Sequence, residues 1–200
     1  MRLQRLPATT LILPLAMSMP NALTQDQAKP VRVVIETDLG DIEVELAAAK
    51  APLTVANFLR YVDANHYDGG QFHRTVTPAN QPDNKVKIEV IQASVNPGKA
   101  KDDFAPIKLE RTRDTKLTHK DGTISMARDG PDTAASDFFL CLGPQPELDF
   151  AGQRNPDAQG FAAFGQVVRG MDIVKKIQQA PAKGQELTPP VKIRRVSRKS

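Results

Sequence analysis

The fold class is indicated by the long stretch between Gly69 and Val168, in which no segment sustains the 3.6-residue period of a helix. Short apolar runs occur there instead, separated by clusters of Pro, Gly, Asn and Asp. The runs are QFHRTV, VKIEVIQ, GTISMA, DFFLCL and GFAAFGQVV. Many short strands with two helices at most predict a mainly β domain, built as a barrel or a sandwich.

More regular elements are predicted on both sides of this stretch. The segment VRVVIETDLGDIEVEL carries two β-branched runs and predicts a β-hairpin, because Gly40 can adopt a positive φ at its turn. Apolar residues at helical spacing predict a helix from about Leu53 to Ala64, with Thr54 available as a cap. A second helix is predicted over GMDIVKKIQQ and a last strand over VKIRRV.

The N-terminus has the pattern of a secretory signal peptide. Two arginines precede an apolar run from Leu6 to Met17, and small residues follow near Ser18 and Ala22. The run is short for a membrane span. We predict a signal peptide over residues 1–22, and the alternative is a disordered or hydrophobic arm.

The rest of the chain is predicted to hold one domain. We expect a polar linker over residues 23–30, the domain over 31–196 and a basic tail over 197–200. The net charge is +4, and about +2 remains once Arg2 and Arg5 are subtracted with the signal segment, which is too weak to indicate nucleic acid. The basic run at the C-terminus is typical of a solvated last strand with a frayed end.

Standard catalytic signals are absent from the sequence. The single cysteine, Cys141, excludes an internal disulfide and a cysteine-based zinc site, and its apolar neighbours indicate a core residue. The three histidines lack metal-ligand spacing, and Ser125 and Ser136 have no identifiable base, so a hydrolase is not expected. Export without disulfides indicates a bacterial periplasm.

Five motifs follow one another along the chain: TDLGDIEVEL, APLTVANFLRYV, YDGGQFHR, GTISMARDGPDTAASDFFLCLG and GFAAFGQVVRGMDIVKKI. In this order they resemble the cyclophilins, a family of peptidyl-prolyl cis-trans isomerases. The resemblance implies a closed, eight-stranded antiparallel barrel capped by two α-helices, with substrate bound in a groove on the outer surface. It implies rotation about X-Pro bonds of proline-containing polypeptides and unfolded client proteins. We expect no metal or cofactor, no nucleic acid, no stable membrane insertion and a monomer.

The same resemblance assigns the site residues. Arg74 matches the catalytic arginine, whose fixed N–H donors meet the proline nitrogen as the amide loses planarity. Phe139 matches the pocket floor, and Met126 and Leu148 lie near its wall. Gln92 matches a glutamine that holds the substrate backbone and supports the arginine. Further substrate contacts are expected from Ala127, Phe161 and Asp137.

Several positions depart from the family pattern. Asp137 replaces an amide that can donate, and a carboxylate there could pair with Arg74 and compete with substrate. Ala93–Ser94 replaces two glycines, and the link after Arg74 is longer than usual. Ile88 and Val90 are the candidates for the missing pocket aromatic.

Strand geometry also bears on the histidine beside the arginine. A regular strand would place Phe72 and Arg74 on one face and His73 on the other, where we expect a hydrogen-bonded structural histidine. Taken alone, Arg74 is typical of a surface charge, and Phe139 and Met126 are typical of core packing. Two other functions stay open: a peptide-binding or chaperone module without catalysis, and an inert ligand-binding barrel, which predicts a hollow lumen.

Overall fold

The computed structural model describes residues 30–199. The predicted signal peptide and all but the last residue of the predicted linker lie outside this range. No helix within it is both long and apolar enough to cross a membrane.

Eight strands form a closed antiparallel barrel. Around it the strands follow the order β1, β2, β7, β5, β6, β4, β3 and β9, and a β1–β9 pairing closes the ring. A two-residue strand, β8, pairs with β9 alone within the described chain. The bounds are β1 (Val31–Thr37), β2 (Gly40–Leu46), β3 (Gln71–Val76), β4 (Val90–Ser94), β5 (Thr123–Met126), β6 (Phe138–Cys141), β7 (Ala162–Arg169), β8 (Ala182–Lys183) and β9 (Glu186–Arg198). The barrel predicted from the sequence is confirmed.

Within residues 30–199, three α-helices accompany the barrel: α1 (Pro52–Asp63), α2 (Thr112–Thr115) and α3 (Met171–Gln178). The two longer ones agree with the prediction, whereas the single turn of α2 was not expected. Thr54 does not cap α1, because the helix begins two residues earlier. Glu110 of a distant loop takes that role, and its carboxylate accepts hydrogen bonds from the backbone N–H groups of Leu53 (3.1 Å) and Thr54 (2.8 Å).

Side chains fill the barrel lumen. Phe58 of α1 lies at the centre of an aromatic cluster, with ring centroids 5.3 Å from Tyr67, 5.5 Å from Phe138 and 5.3 Å from Phe164. All four rings are fully buried. A packed lumen argues against the inert ligand-binding barrel, which needs interior space for its ligand.

The C-terminal strand is longer and better anchored than a frayed tail. It pairs with β1 as far as Arg198, whose guanidinium binds the Asp63 carboxylate at 2.7 Å. The Lys199 ammonium lies 2.7 Å from Glu43, a carboxylate whose side chain is 4% exposed. The predicted tail therefore belongs to the barrel up to Lys199.

Candidate active site

A bulge in β3 separates the faces of Phe72 and Arg74. The register shifts between these two residues in the pairings with both β4 and β9, so His73 is the extra residue. Phe72 therefore packs into the lumen while Arg74 lines a recess on the outer wall. The expectation that both share a face is wrong. His73 also differs from the prediction, since its Nδ1 is buried without a hydrogen-bonding partner in the described chain.

Two glutamines hold the guanidinium of Arg74. Its Nη1 donates to Gln92 Oε1 (3.0 Å), and its Nε and Nη2 donate to Gln185 Oε1 (2.9 and 2.6 Å). Three of the five N–H groups of an arginine are thereby fixed, which leaves two for another acceptor. Burial lowers the pKa of Arg74 from its ordinary value, but a guanidinium stays protonated in proteins.

Gln185 is positioned by the β8–β9 hairpin. Gly184 adopts a φ of 63° at this turn, and the carbonyl of Gln185 accepts a hydrogen bond from Thr75 N at 2.9 Å. The hairpin thus lies directly beside β3. Sequence reasoning missed Gln185, because it lies 111 residues from Arg74 and has no motif of its own.

The recess beside Arg74 has a volume of about 470 Å³ and an apolar half. Phe139 and Phe161 meet there edge to face, with centroids 5.3 Å apart. Leu148 and the two candidates from the altered link, Ile88 and Val90, line the same half. The recess brings together seven of the eight predicted site residues: Arg74, Gln92, Ala127, Asp137, Phe139, Leu148 and Phe161.

Met126 is the predicted site residue that the structure places elsewhere. It is fully buried in the lumen core together with Ile124. Side chains alternate along β5, so Ser125 and Ala127 face the other way. Ala127 reaches the recess for this reason, and the pocket position proposed for Met126 is wrong.

Asp137 does not pair with Arg74. Gln92 lies between them, since its Nε2 donates to Asp137 Oδ2 (3.4 Å) while its Oε1 accepts from the guanidinium. Burial raises the pKa of Asp137 above its ordinary value, partly opposed by the nearby His73 and by the hydrogen bond from Gln92. The carboxylate therefore influences the arginine through the glutamine.

We expect Asp137→Asn to stabilise the protein more strongly as the pH rises. Well below pH 4 the carboxyl is protonated in the folded and unfolded states alike, because the ordinary pKa of Asp is about 3.9, so the variant changes little there. As the pH rises, the unfolded chain loses this proton before the folded one, because the folded pKa is the higher, and the wild type loses stability. Urea unfolding of wild type and variant, from well below pH 4 to neutral pH, measures the difference in their free energies of unfolding.

Asp129→Asn is the matched control, because Asp129 is an exposed carboxylate at the same recess. A constant stability gap between Asp137→Asn and wild type at all pH values would contradict the prediction.

The altered link after Arg74 folds around the buried amide of Gln81. The Nε2 of Gln81 donates to the carbonyls of Thr77 (2.8 Å) and Ile88 (2.7 Å), which closes the loop on itself. Ala93–Ser94, which replaces the family's two glycines, forms regular pairs within β4. The departures from the family pattern are thus accommodated without loss of the recess.

A second polar network lies behind the pocket floor. His119 Nδ1 donates to Asp149 Oδ1 (2.7 Å), and its Nε2 lies within hydrogen-bonding distance of Ser125 Oγ (2.9 Å). Its ring stacks on Phe139, with centroids 6.0 Å apart and planes at 16°. Ser125 therefore does have a histidine partner, contrary to the sequence analysis. Ser125 is fully buried and His119 is 2% exposed, so the hydroxyl is closed to a substrate.

Fold and site together define a class of protein. The lumen is packed, and the recess lies on the outer wall, with an apolar half next to a fixed guanidinium. Such a recess suits a ligand that presents an apolar group beside a hydrogen-bond acceptor.

The chain belongs to the cyclophilin family. The family model described as "Cyclophilin type peptidyl-prolyl cis-trans isomerase/CLD" matches residues 32–198. The protein is therefore a peptidyl-prolyl cis-trans isomerase, which confirms the fold and the reaction predicted from the sequence motifs.

Individual relatives agree with this assignment. A peptidyl-prolyl cis-trans isomerase of Acinetobacter baylyi is 37% identical over 74% of this chain and 72% of its own length. Peptidyl-prolyl cis-trans isomerase A of Dickeya dadantii is 37% identical over 74% and 70%. Among solved structures, a cyclophilin type isomerase of Cryptosporidium parvum superposes with a TM-score of 0.69 at 22% identity, over 86% of this chain and 98% of that one. At this identity the structural match supports the fold alone.

Proposed function

We propose that Arg74 is the catalytic group of this isomerase. Rotation about an X-Pro bond breaks amide resonance, with a barrier of about 18–20 kcal/mol, and makes and breaks no covalent bond. In the twisted state the proline nitrogen becomes pyramidal and regains a lone pair. The two uncommitted N–H groups of the Arg74 guanidinium are the donors available to it.

The observation that carries this proposal is the fixed geometry of the guanidinium. Gln92 and Gln185 fix its plane before substrate arrives, so the donor is already oriented when the nitrogen lone pair forms. A donor that binds the twisted amide better than the planar one lowers the barrier, because only such differential contacts accelerate the reaction.

The apolar half of the recess would hold the proline ring. Phe139 forms the floor, and Leu148 and Phe161 form the sides. Burial of the ring there excludes water from the guanidinium, which strengthens its hydrogen bond to the nitrogen. Ala127 stands at the rim, where its N–H is already committed to the Asp137 carbonyl at 2.8 Å.

The alternative function is a peptide-binding module with little catalysis. Asp137 favours this alternative, because its carboxylate replaces an amide that can donate. NMR exchange spectroscopy on a blocked proline peptide separates the two functions. We expect faster exchange between cis and trans peptide signals when the protein is present. Shifted peptide signals without faster exchange would support the alternative.

We also propose that the protein is a bacterial, exported monomer that assists the folding of proline-containing clients in the periplasm. The signal pattern of residues 1–22 supports export, and for an exported chain a single cysteine favours the periplasm over a disulfide-stapled extracellular scaffold. Expression in a Gram-negative host should give periplasmic protein whose N-terminal sequence starts near Leu23. Intact Met1 on cytoplasmic material would contradict export.

A further inference from the structure

Three guanidinium groups of the described chain line the recess, and the proposed reaction uses only that of Arg74. The guanidinium of Arg128 is neutralised by Asp157 at 2.7 Å, which leaves that of Arg154. Arg154 comes from the long loop between Leu148 and β7, and it lines the same recess as Arg74. Every hydrogen-bond acceptor found for the two guanidinium groups within residues 30–199 is a neutral side-chain amide or backbone carbonyl oxygen. Neither positive charge is therefore neutralised by a hydrogen-bonded carboxylate.

The Arg154 side chain is held in place by the altered link after Arg74. Its Nη1 donates to Gln81 Oε1 (2.9 Å) and to the Val86 carbonyl (2.8 Å). Its Nε and Nη2 make no hydrogen bond within the described chain. Arg154 is thus anchored on one side and keeps three N–H groups for a ligand.

The carboxylates of the recess lie apart from the guanidinium groups of Arg74 and Arg154. Asp103, Asp129 and Asp137 also line it, yet within the described chain none of them lies within 4.0 Å of a guanidinium nitrogen of Arg74 or Arg154. Burial lowers the pKa of Arg154, and the positive charge of Arg74 lowers it further. An anion placed beside Arg154 would relieve this repulsion and replace lost hydration.

We propose that Arg154 binds a carboxylate that flanks the proline of the substrate, so that the enzyme prefers acidic X-Pro segments. The planar fork of a guanidinium matches a carboxylate with two parallel hydrogen bonds. The carboxylate can come from a neighbouring Asp or Glu side chain or from a chain that ends at the proline. This inference rests on the proposed binding of the proline beside Arg74.

Two sets of peptides test the preference by NMR exchange spectroscopy, which needs no coupling protease. The first set has blocked termini and differs only in Glu, Gln or Lys before or after the proline. The second set ends at the proline with a free or an amidated carboxyl group. For wild type we expect kcat/KM about two- to fivefold higher for the carboxylate form than for its amide in at least one set, the range of a partly exposed ion pair. The set that shows it identifies the source.

The variants assign the preference to Arg154. Arg154→Gln should bring the carboxylate-to-amide ratio close to one, and Arg154→Lys should keep part of it. Arg195→Gln is the matched control, because Arg195 is an exposed arginine of β9 outside the recess and its loss changes the net charge equally. It should leave the ratio at the wild-type value.

Three results separate the possible failures. An unchanged ratio in Arg154→Gln, or no preference in either peptide set, overturns the carboxylate site. An equal loss for carboxylate and amide peptides assigns Arg154 a purely structural role and overturns it as well. If wild type accelerates none of the peptides, the proposed catalytic role of Arg74 fails.

Discussion

Replacing Arg74 with alanine is expected to lower kcat/KM for a proline peptide by about 100- to 1,000-fold, the usual cost of a lost preorganised donor. The side chain lines an open recess, and its partners Gln92 and Gln185 can hydrate when it is removed. The thermal unfolding temperature should therefore change by a few degrees at most. NMR exchange measures the rate and calorimetry measures the stability.

Arg195→Ala is the matched control for Arg74→Ala and should isomerise at the wild-type rate. Wild-type turnover in Arg74→Ala would refute the proposed mechanism. Arg74→Lys tests the geometry, because an ammonium keeps the charge but cannot reproduce the fixed fork between the two glutamines. It should stay close to the alanine variant in rate.

The adjacent residues Phe138 and Phe139 are expected to give opposite phenotypes. Phe138 packs in the lumen against Phe58, Tyr67 and Phe72, with centroids 5.5, 5.4 and 6.0 Å away. Phe138→Ala should lower the free energy of unfolding by about 3–5 kcal/mol, the range for a buried aromatic truncated to alanine. Urea unfolding at 25 °C measures this cost.

Phe139→Ala should cost less stability than Phe138→Ala, because its ring, although only 4% exposed, lines the recess, from which water can enter the space that the ring leaves. It should lower kcat/KM by about 10- to 200-fold, since the proline ring loses its apolar floor. Phe139→Leu keeps an apolar side chain there and should recover part of the rate. Equal losses of stability and activity in the two alanine variants would contradict the assignment of the rings to opposite faces of β6.

Local signals along the chain specified most of the elements. Alternating apolar runs, the Gly40 turn and the helical spacing of Val55, Phe58 and Val62 depend on residues close in sequence, so they predicted the strands, the first hairpin and α1. The ordered motifs predicted the family, and through it seven residues of the recess. A family motif implies which residues meet in the folded protein, whereas the spacing of apolar residues alone predicts only local structure.

The errors arose where one register or one distant contact decides the result. Side chains in a strand alternate with a period of two, so Phe72 and Arg74 would share a face in a regular strand. The extra residue at His73 places them on opposite faces instead. The same alternation places Met126 in the lumen and Ala127 on the outer wall, once it is known which side chains of β5 face the lumen. The motif alone does not show which side chains these are.

Contacts between remote parts of the chain complete the site. Gln185 fixes Arg74 across 111 residues, and Arg154 reaches Gln81 across 73. Side chains with amide and guanidinium groups show no periodic pattern in the sequence from which such distant hydrogen-bonding partners could be predicted. The linear pattern of apolar and turn residues is enough to specify a barrel, because burial depends on local alternation. The orientation of the Arg74 guanidinium was decided only by the tertiary structure, because it depends on which side chains the closed barrel brings within hydrogen-bonding distance.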